Sequence, residues 1–195
     1  MKRDDRRPML IDGTIHVIAN EGLDKATTKR IGDFTDTNEV YIYRCFESKE
    51  DMLVQTFNFL DDELISTLKS NISVMYVADL DFDLRARLFF DSIWKFLLGN
   101  KDKCLAFIRL YYSPYYMNYS YDTHQEKYAP IIEQFKLVFM EESNVTMILN
   151  HILTTMLVFA INVFNGAVPD NEDTAEHVFR IIHASVSQYL KRKES

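Results

Sequence analysis

Thr28, Lys29, Asn38, Glu39, Val40, Tyr41, Tyr43 and Lys49 stand within one short stretch, and their side chains suit a polyanion and the edges of bases. Lys29 and Lys49 can neutralise phosphates. The Thr28 hydroxyl, beside a helix start, can donate to a phosphate where backbone amides also favour anions. Asn38, Glu39, Val40 and Tyr41 open a short helix, where Val40 can meet a thymine methyl and Glu39 can accept from a cytosine amino group. For Glu39 the competing reading is a solvent-facing charge that favours the helix dipole, and for Tyr41 it is packing within its own domain.

Such side chains need a support that turns sharply. Ile31 and Phe34, three apart, share one face of a first helix, and Gly32 has no side chain to hold a second helix away. Asp36 tolerates a left-handed backbone and Asn38 is a good N-cap, so the turn takes three or four residues. The second helix runs from 39 to about 45 with Ile42 and Phe46 inward, and Ser48 with Asp51 has the spacing of a capping box. Ahead of the pair, Leu10, Ile11, Ile15, Ile18 and Ala19 describe an amphipathic helix from Pro8 to Gly22, the third wall of a small bundle. The opening charges from Lys2 to Arg7 read equally as an arm along the phosphate backbone or as a solvated tail.

Thr28, Ile31, Tyr43, Phe46, Ser48, Lys49, Glu50, Asp51 and Leu53 match in kind and spacing the helix-turn-helix of the TetR family of bacterial transcriptional regulators. Residues 1–55 resemble that family; the rest agrees with it only in length and helical character. The resemblance implies an all-α chain of about nine helices. An N-terminal three-helix DNA-binding domain would take residues 1–47. A C-terminal helical ligand-binding and dimerisation domain would take 48–195, with 48–75 as the connecting helix. It also implies a Tyr43 hydroxyl on phosphate, a homodimer, an inverted-repeat operator in double-stranded DNA, and a small-molecule effector that releases the protein from it. Asp36 stands where the family usually has Gly, and Glu39, Val40 and Tyr41 where it usually starts the reading helix with a small or basic residue. These departures leave the preferred base sequence open.

Composition bounds the same picture. Of 195 residues 47% are hydrophobic, enough for a core, while 5 Gly and 4 Pro are too few for a sheet with many turns. Cys45 and Cys104 fit free thiols in a reducing cytosol. No signal-type segment opens the chain, and its most apolar run, 148–164, is broken by His151, Thr154, Thr155 and Asn162, so a soluble cytoplasmic protein with no membrane partner is expected. Net charge is −7, of which only −1 falls in residues 1–50. An acidic body behind a near-neutral reading head binds DNA weakly without sequence preference, and less as salt rises.

Beyond residue 47, Leu53, Phe57, Leu60, Leu64, Leu68 and Ile72 mark one long helix from Ser48, and residues 77–83 its break. Further helices are expected at 83–98, 102–112, 121–141 with a kink at Pro130, 144–165 and 172–192. Seven of the 11 tyrosines lie between Phe107 and Tyr128. Phe107, Tyr111, Tyr115 and Tyr128, with Phe90 and Trp94 opposite, are the candidate lining of an effector cavity for a mostly apolar or flat aromatic molecule; ordinary core packing is the competing reading. The last two helices are apolar over more than one stripe, which assigns Ile152, Met156, Phe159, Val178, Ile182, Val186 and Tyr189 to a dimer interface. His16, His124, His151, His177 and His183 make no metal-ligand constellation, and no nucleophile, base and orienting group occur together. No metal, cofactor or catalysis is therefore expected. The alternative function is a ligand- or partner-binding protein of the same shape without specific DNA reading.

Overall fold

The computed structural model describes residues 6–191, and the arm proposed at the opening charges lies mostly outside them. Among these residues there are nine α-helices and no strand. They fall into two compact units, one of residues 1–64 and 100–125, the other of 65–99 and 126–195. The division differs from a single boundary at residue 47, because a helix from the middle of the chain packs beside the N-terminal one.

In the first unit α1 (Arg7–Glu21) carries Pro8 in its first turn and stops at Gly22, whose φ of 103° is open to glycine alone at no steric cost. Its buried face holds Leu10, Ile15, Val17 and Ile18. Helix α2 (Thr28–Phe34) is capped by Thr27, whose hydroxyl accepts from the Arg30 amide at 3.1 Å. Asp36 then takes φ 47°, alone among the described non-glycine residues in being positive, and Asn38 caps α3 (Glu39–Cys45) by accepting from the Val40 amide at 2.9 Å. Gly32 serves the turn itself. A Cβ there would stand 2.5 Å from the Thr37 carbonyl oxygen, and the Thr37 amide donates to the Gly32 carbonyl at 2.8 Å. Phe34, expected to share a face with Ile31, is 45% exposed where Ile31 is buried, and it stacks on the His16 ring, their centroids 4.3 Å apart.

Helix α4 (Lys49–Asn71) starts where Ser48 Oγ accepts from the Asp51 amide at 3.0 Å. Asp51 Oδ2 accepts from the Glu47 amide at 2.9 Å, one residue before the usual donor of a capping box. Two polar clamps hold α6 (Lys101–Tyr111) on α1. The Arg109 guanidinium donates to the carbonyls of Ile18 and Ala19, and His16 Nδ1 lies 3.0 Å from Asp102 Oδ2. A π-helical turn, Tyr116–Ser120, runs directly into α7 (Tyr121–Phe135), whose first residues complete this unit.

The second unit takes the last turns of α4, a 3-10 turn at Ile72–Tyr76, α5 (Phe82–Leu98), the rest of α7, α8 (Val145–Phe164) and α9 (Glu172–Val186). Asp81, Asn144 and Asn171 cap α5, α8 and α9 through their side chains. Two ends correct the expected spans. Helix α7 stops at Phe135 rather than 141, and α9 at Val186 rather than 192. The cause is common to both: Phe139 and Leu190 form an antiparallel bridge, with Met140 N–H donating to Tyr189 O at 2.9 Å and Lys191 N–H to Val138 O at 3.1 Å. Backbone groups engaged sideways cannot continue a helix. Helix α8 is long and apolar enough to cross a membrane, with mean hydropathy 1.8; 28% of that span is buried, and the helix packs on α5 and α9.

Candidate functional site

The capped turn leaves a distinct face on α2 and α3. Val40 is 57% and Tyr43 56% exposed, Lys29, Asn38 and Glu39 are exposed, and Lys49 is half-buried at the first turn of α4. Thr28 is buried. Its hydroxyl donates to Glu39 Oε1 at 2.7 Å, so the groups assigned to phosphate and to base are joined to one another. Tyr41 is half-buried between two guanidinium groups, Arg6 at 4.5 Å and Arg44 at 4.9 Å from its ring centroid. Sequence reasoning missed Arg44, although it stands three residues after Tyr41 on the same helix and carries the positive charge that Glu39 lacks. Arg30, by contrast, is turned away from such a role. It grips Glu21, and this hydrogen bond holds the Glu21 carboxyl below the usual carboxylate range and raises the guanidinium. Behind the face, Arg7 donates to Gln55 Oε1, Gln55 donates to Asp51 Oδ1 at 2.7 Å, and the Arg7 guanidinium lies over the Phe46 ring.

The six aromatic residues expected to line one cavity divide between the units. In the first, Phe107 stacks on Phe57 and on Tyr111, and Tyr111 lies against Tyr116, with centroids 4.5 Å apart; Tyr115 is half-buried just before the π-helical turn. Burial raises the phenol of Tyr111 and, more strongly, that of Tyr116. Beneath these rings is a pair the sequence did not announce. Asp61, wholly buried, meets His124 Nδ1 at 2.9 Å, and its second oxygen and the nearby Ser120 hydroxyl have no hydrogen-bond partner. The available signal was a carboxylate four residues after Phe57 on the apolar stripe of α4.

In the second unit Phe90 and Tyr128 line a cavity of about 80 Å³. Trp94 stacks behind Phe90 at 5.8 Å. Lining side chains come from α5, α7, α8 and α9 and from Leu68 near the end of α4; only Tyr128 and His183 bring nitrogen or oxygen. The expected dimer face needs correction here. Met156, Val178, Ile182 and Val186 are buried in the chain's own core, and Ile152, Met156, Ile182 and Val186 line the cavity, because this stripe of α8 and α9 turns inward. Phe159 is half-buried and Tyr189 is 40% exposed. The apolar residues these helices do expose are Met147, Val158 and Ile181.

No group of three or more potential metal-ligating His, Cys, Asp or Glu side chains occurs among the described residues.

Residues 10–56 match the family model for bacterial regulatory proteins of the tetR family. No curated protein matches the chain. Among solved structures, a TetR family transcription regulator from Marinobacter aquaeolei VT8 superposes with TM-score 0.77 at 14% identity over 96% of each chain. A putative tetR family transcription regulator from Shewanella sp. PV-4 gives 0.75 at 15% identity over 96% of this chain and all of that one. A transcriptional regulator from Rhodococcus sp. Rha1 gives 0.72 at 14% over 97% of this chain and all of that one.

Proposed function

Since residues 10–56 match the family model for bacterial regulatory proteins of the tetR family and the chain shares the fold of such regulators along nearly its whole length, we propose that it is a member of that family and a sequence-specific DNA-binding regulator, a repressor released by a small effector. The single observation that carries this is the capped α2–α3 turn, which leaves Val40 and Tyr43 more than half exposed at the helix that would enter a major groove. Residues 1–47 act as the reading head. Tyr43 and Lys49 hold phosphates, while Asn38, Glu39, Val40 and Tyr41 meet base edges. The exposed apolar residues of α8 and α9, Met147, Val158 and Ile181, support a two-fold dimer, which would read an inverted repeat. The cavity bounded by Phe90 and Tyr128 receives the effector, and residues 48–75 connect it to the head. No catalysis is assigned to the chain, and its place of action is the cytoplasm.

Affinity selection of fragmented genomic DNA by the purified protein tests the proposal, with Tyr43→Phe plus Lys49→Ala as control. An enriched inverted repeat that the double variant loses is the expected result; no motif from a folded dimer refutes it. The Thr28–Glu39 bond favours one rival, a partner-binding protein that has lost DNA reading. A DNA titration that is flat and indifferent to salt would favour that rival.

A further inference from the structure

We infer that Arg6 and Arg44, both held at the ring of Tyr41, form a phosphate-binding site of the reading head in addition to Tyr43 and Lys49, with Tyr41 as the residue that positions them; this deepens the proposed DNA-binding role and rests on it. Charge supplies the first argument. Residues 1–50 carry a net −1, so a polyanion is attracted only where positive groups gather. Two arginines of the head are spent inward, Arg30 on Glu21 and Arg7 on Gln55 and the Phe46 ring. Arg6, the residue before α1, and Arg44, in the last turn of α3, are instead exposed and meet at one ring. With their guanidinium carbons 4.5 and 4.9 Å from its centroid, they make one compact cluster of two charges.

Chemistry supplies the second. A ring face attracts a guanidinium through its quadrupole and offers it no acceptor, so the contact fixes where the planar N–H fork stands without itself satisfying it. Such a fork matches two oxygens of one phosphate. Two cations gathered at one ring also repel each other, and a phosphate beside them offsets that repulsion, so the cluster favours the DNA-bound state. Its place in the chain agrees with this use. Arg44 directly follows Tyr43, whose hydroxyl is assigned to phosphate, and the acid that opens the same helix, Glu39, is engaged by the Thr28 hydroxyl at 2.7 Å. Tyr41, with guanidinium groups over its ring, meets a base by its hydroxyl rather than by stacking.

The test is the binding of a mixed-sequence DNA duplex by the full-length protein over a range of salt, read as the slope of log affinity against log salt concentration. Arg6→Gln and Arg44→Gln, both at exposed positions, should each make that slope shallower by about 0.9, the contribution of one phosphate, and should weaken all sequences alike. Arg44→Lys keeps the charge and should keep the slope. Arg180→Gln removes a charge on α9, outside the head, and should leave the slope at the parent value. Tyr41→Phe retains the ring and the slope. In Tyr41→Leu the guanidinium is no longer held in place, so adding Arg44→Gln should cost less affinity than it does in the parent. Parent slopes in both glutamine variants, or an Arg44→Gln loss that is the same with and without the ring, would overturn the inference. A steep parent slope that these variants leave unaltered spares the regulatory proposal; shallower variant slopes without any enriched operator motif refute that proposal and leave the phosphate site standing; a flat parent titration overturns both.

Discussion

Replacing Gly32 with alanine should destabilise the reading head even though it improves the helix that contains it. In an ordinary helix interior Gly→Ala is worth about 0.8–1 kcal/mol in favour of alanine. Here the new Cβ would stand 2.5 Å from the Thr37 carbonyl oxygen, which is backbone and cannot rotate aside. Moving Thr37 away costs its amide bond to the Gly32 carbonyl, about 0.5–1.5 kcal/mol, and overpacking adds about 1–3 kcal/mol. Set against the propensity gain, the net loss is about 2 kcal/mol, or about 4–8 °C in Tm for a chain of this size. Thermal melting followed by circular dichroism measures it. The control is Gly99→Ala, whose Cβ would lie 3.2 Å from the Lys95 carbonyl and so needs only a small adjustment. Because Asn38 and α3 follow Thr37 directly, operator affinity should fall further than stability does. A Gly32→Ala protein that melts at or above the parent temperature would show propensity outweighing the close approach, and the reasoning would be wrong.

Glu39→Gln retains an acceptor for the Thr28 hydroxyl but removes the charge, and should raise non-specific DNA affinity about fivefold at low salt, a gain that shrinks as salt is added; Glu39→Ala also frees the hydroxyl. Unchanged binding isotherms for both variants would remove Glu39 from the interface. Asp61→Ala leaves His124 without the carboxylate it meets inside the first unit, and denaturant unfolding should show a loss of about 3 kcal/mol. Burial pushes the Cys104 thiol from 9.0 up to about 12. The folded state thus favours the neutral thiol, and the resulting stability is complete below pH 9 and lost as pH climbs toward 12. A disulfide reagent at pH 8 should accordingly titrate Cys45 in the native protein and Cys104 only after unfolding, whereas two equally fast thiols would contradict this burial.

What the sequence disclosed was local. Ser48, Asn38 and Gly22 each satisfy or release backbone groups within four residues of themselves, so their roles can be read from residue type and spacing alone. Asp36 belongs with them, since its short polar side chain tolerates the φ of 47° that the turn requires. Long-range pairing was hidden. Nothing around Phe139 announces that it will bridge to Leu190, and without that bridge the apolar pattern of residues 136–141 reads as continued helix. The stripe of Met156, Ile182 and Val186 misled for a related reason: periodicity reports that a face is buried and is silent on whether the cover is the same chain or a second copy. His183 went unnoticed beside the cavity because its partner, Asp83, lies a hundred positions away.

The placement of polar and apolar groups along α4 bears on how the proposed effector would act. Lys49 begins this helix at the reading face, and Leu68, near its other end, lines the cavity. Their separation of nineteen positions spans about 28 Å of uninterrupted helix at 1.5 Å per residue, without a Gly or Pro to absorb a displacement locally. A ligand against Leu68 therefore biases DNA binding only through a difference in its affinity for two poses of that helix, and equal affinity for both would shift nothing. Driving a regulator from mostly bound to mostly free, from 99:1 to 1:99, takes a preference of about 10⁴-fold, and reciprocity demands that operator DNA weaken the ligand by the same factor.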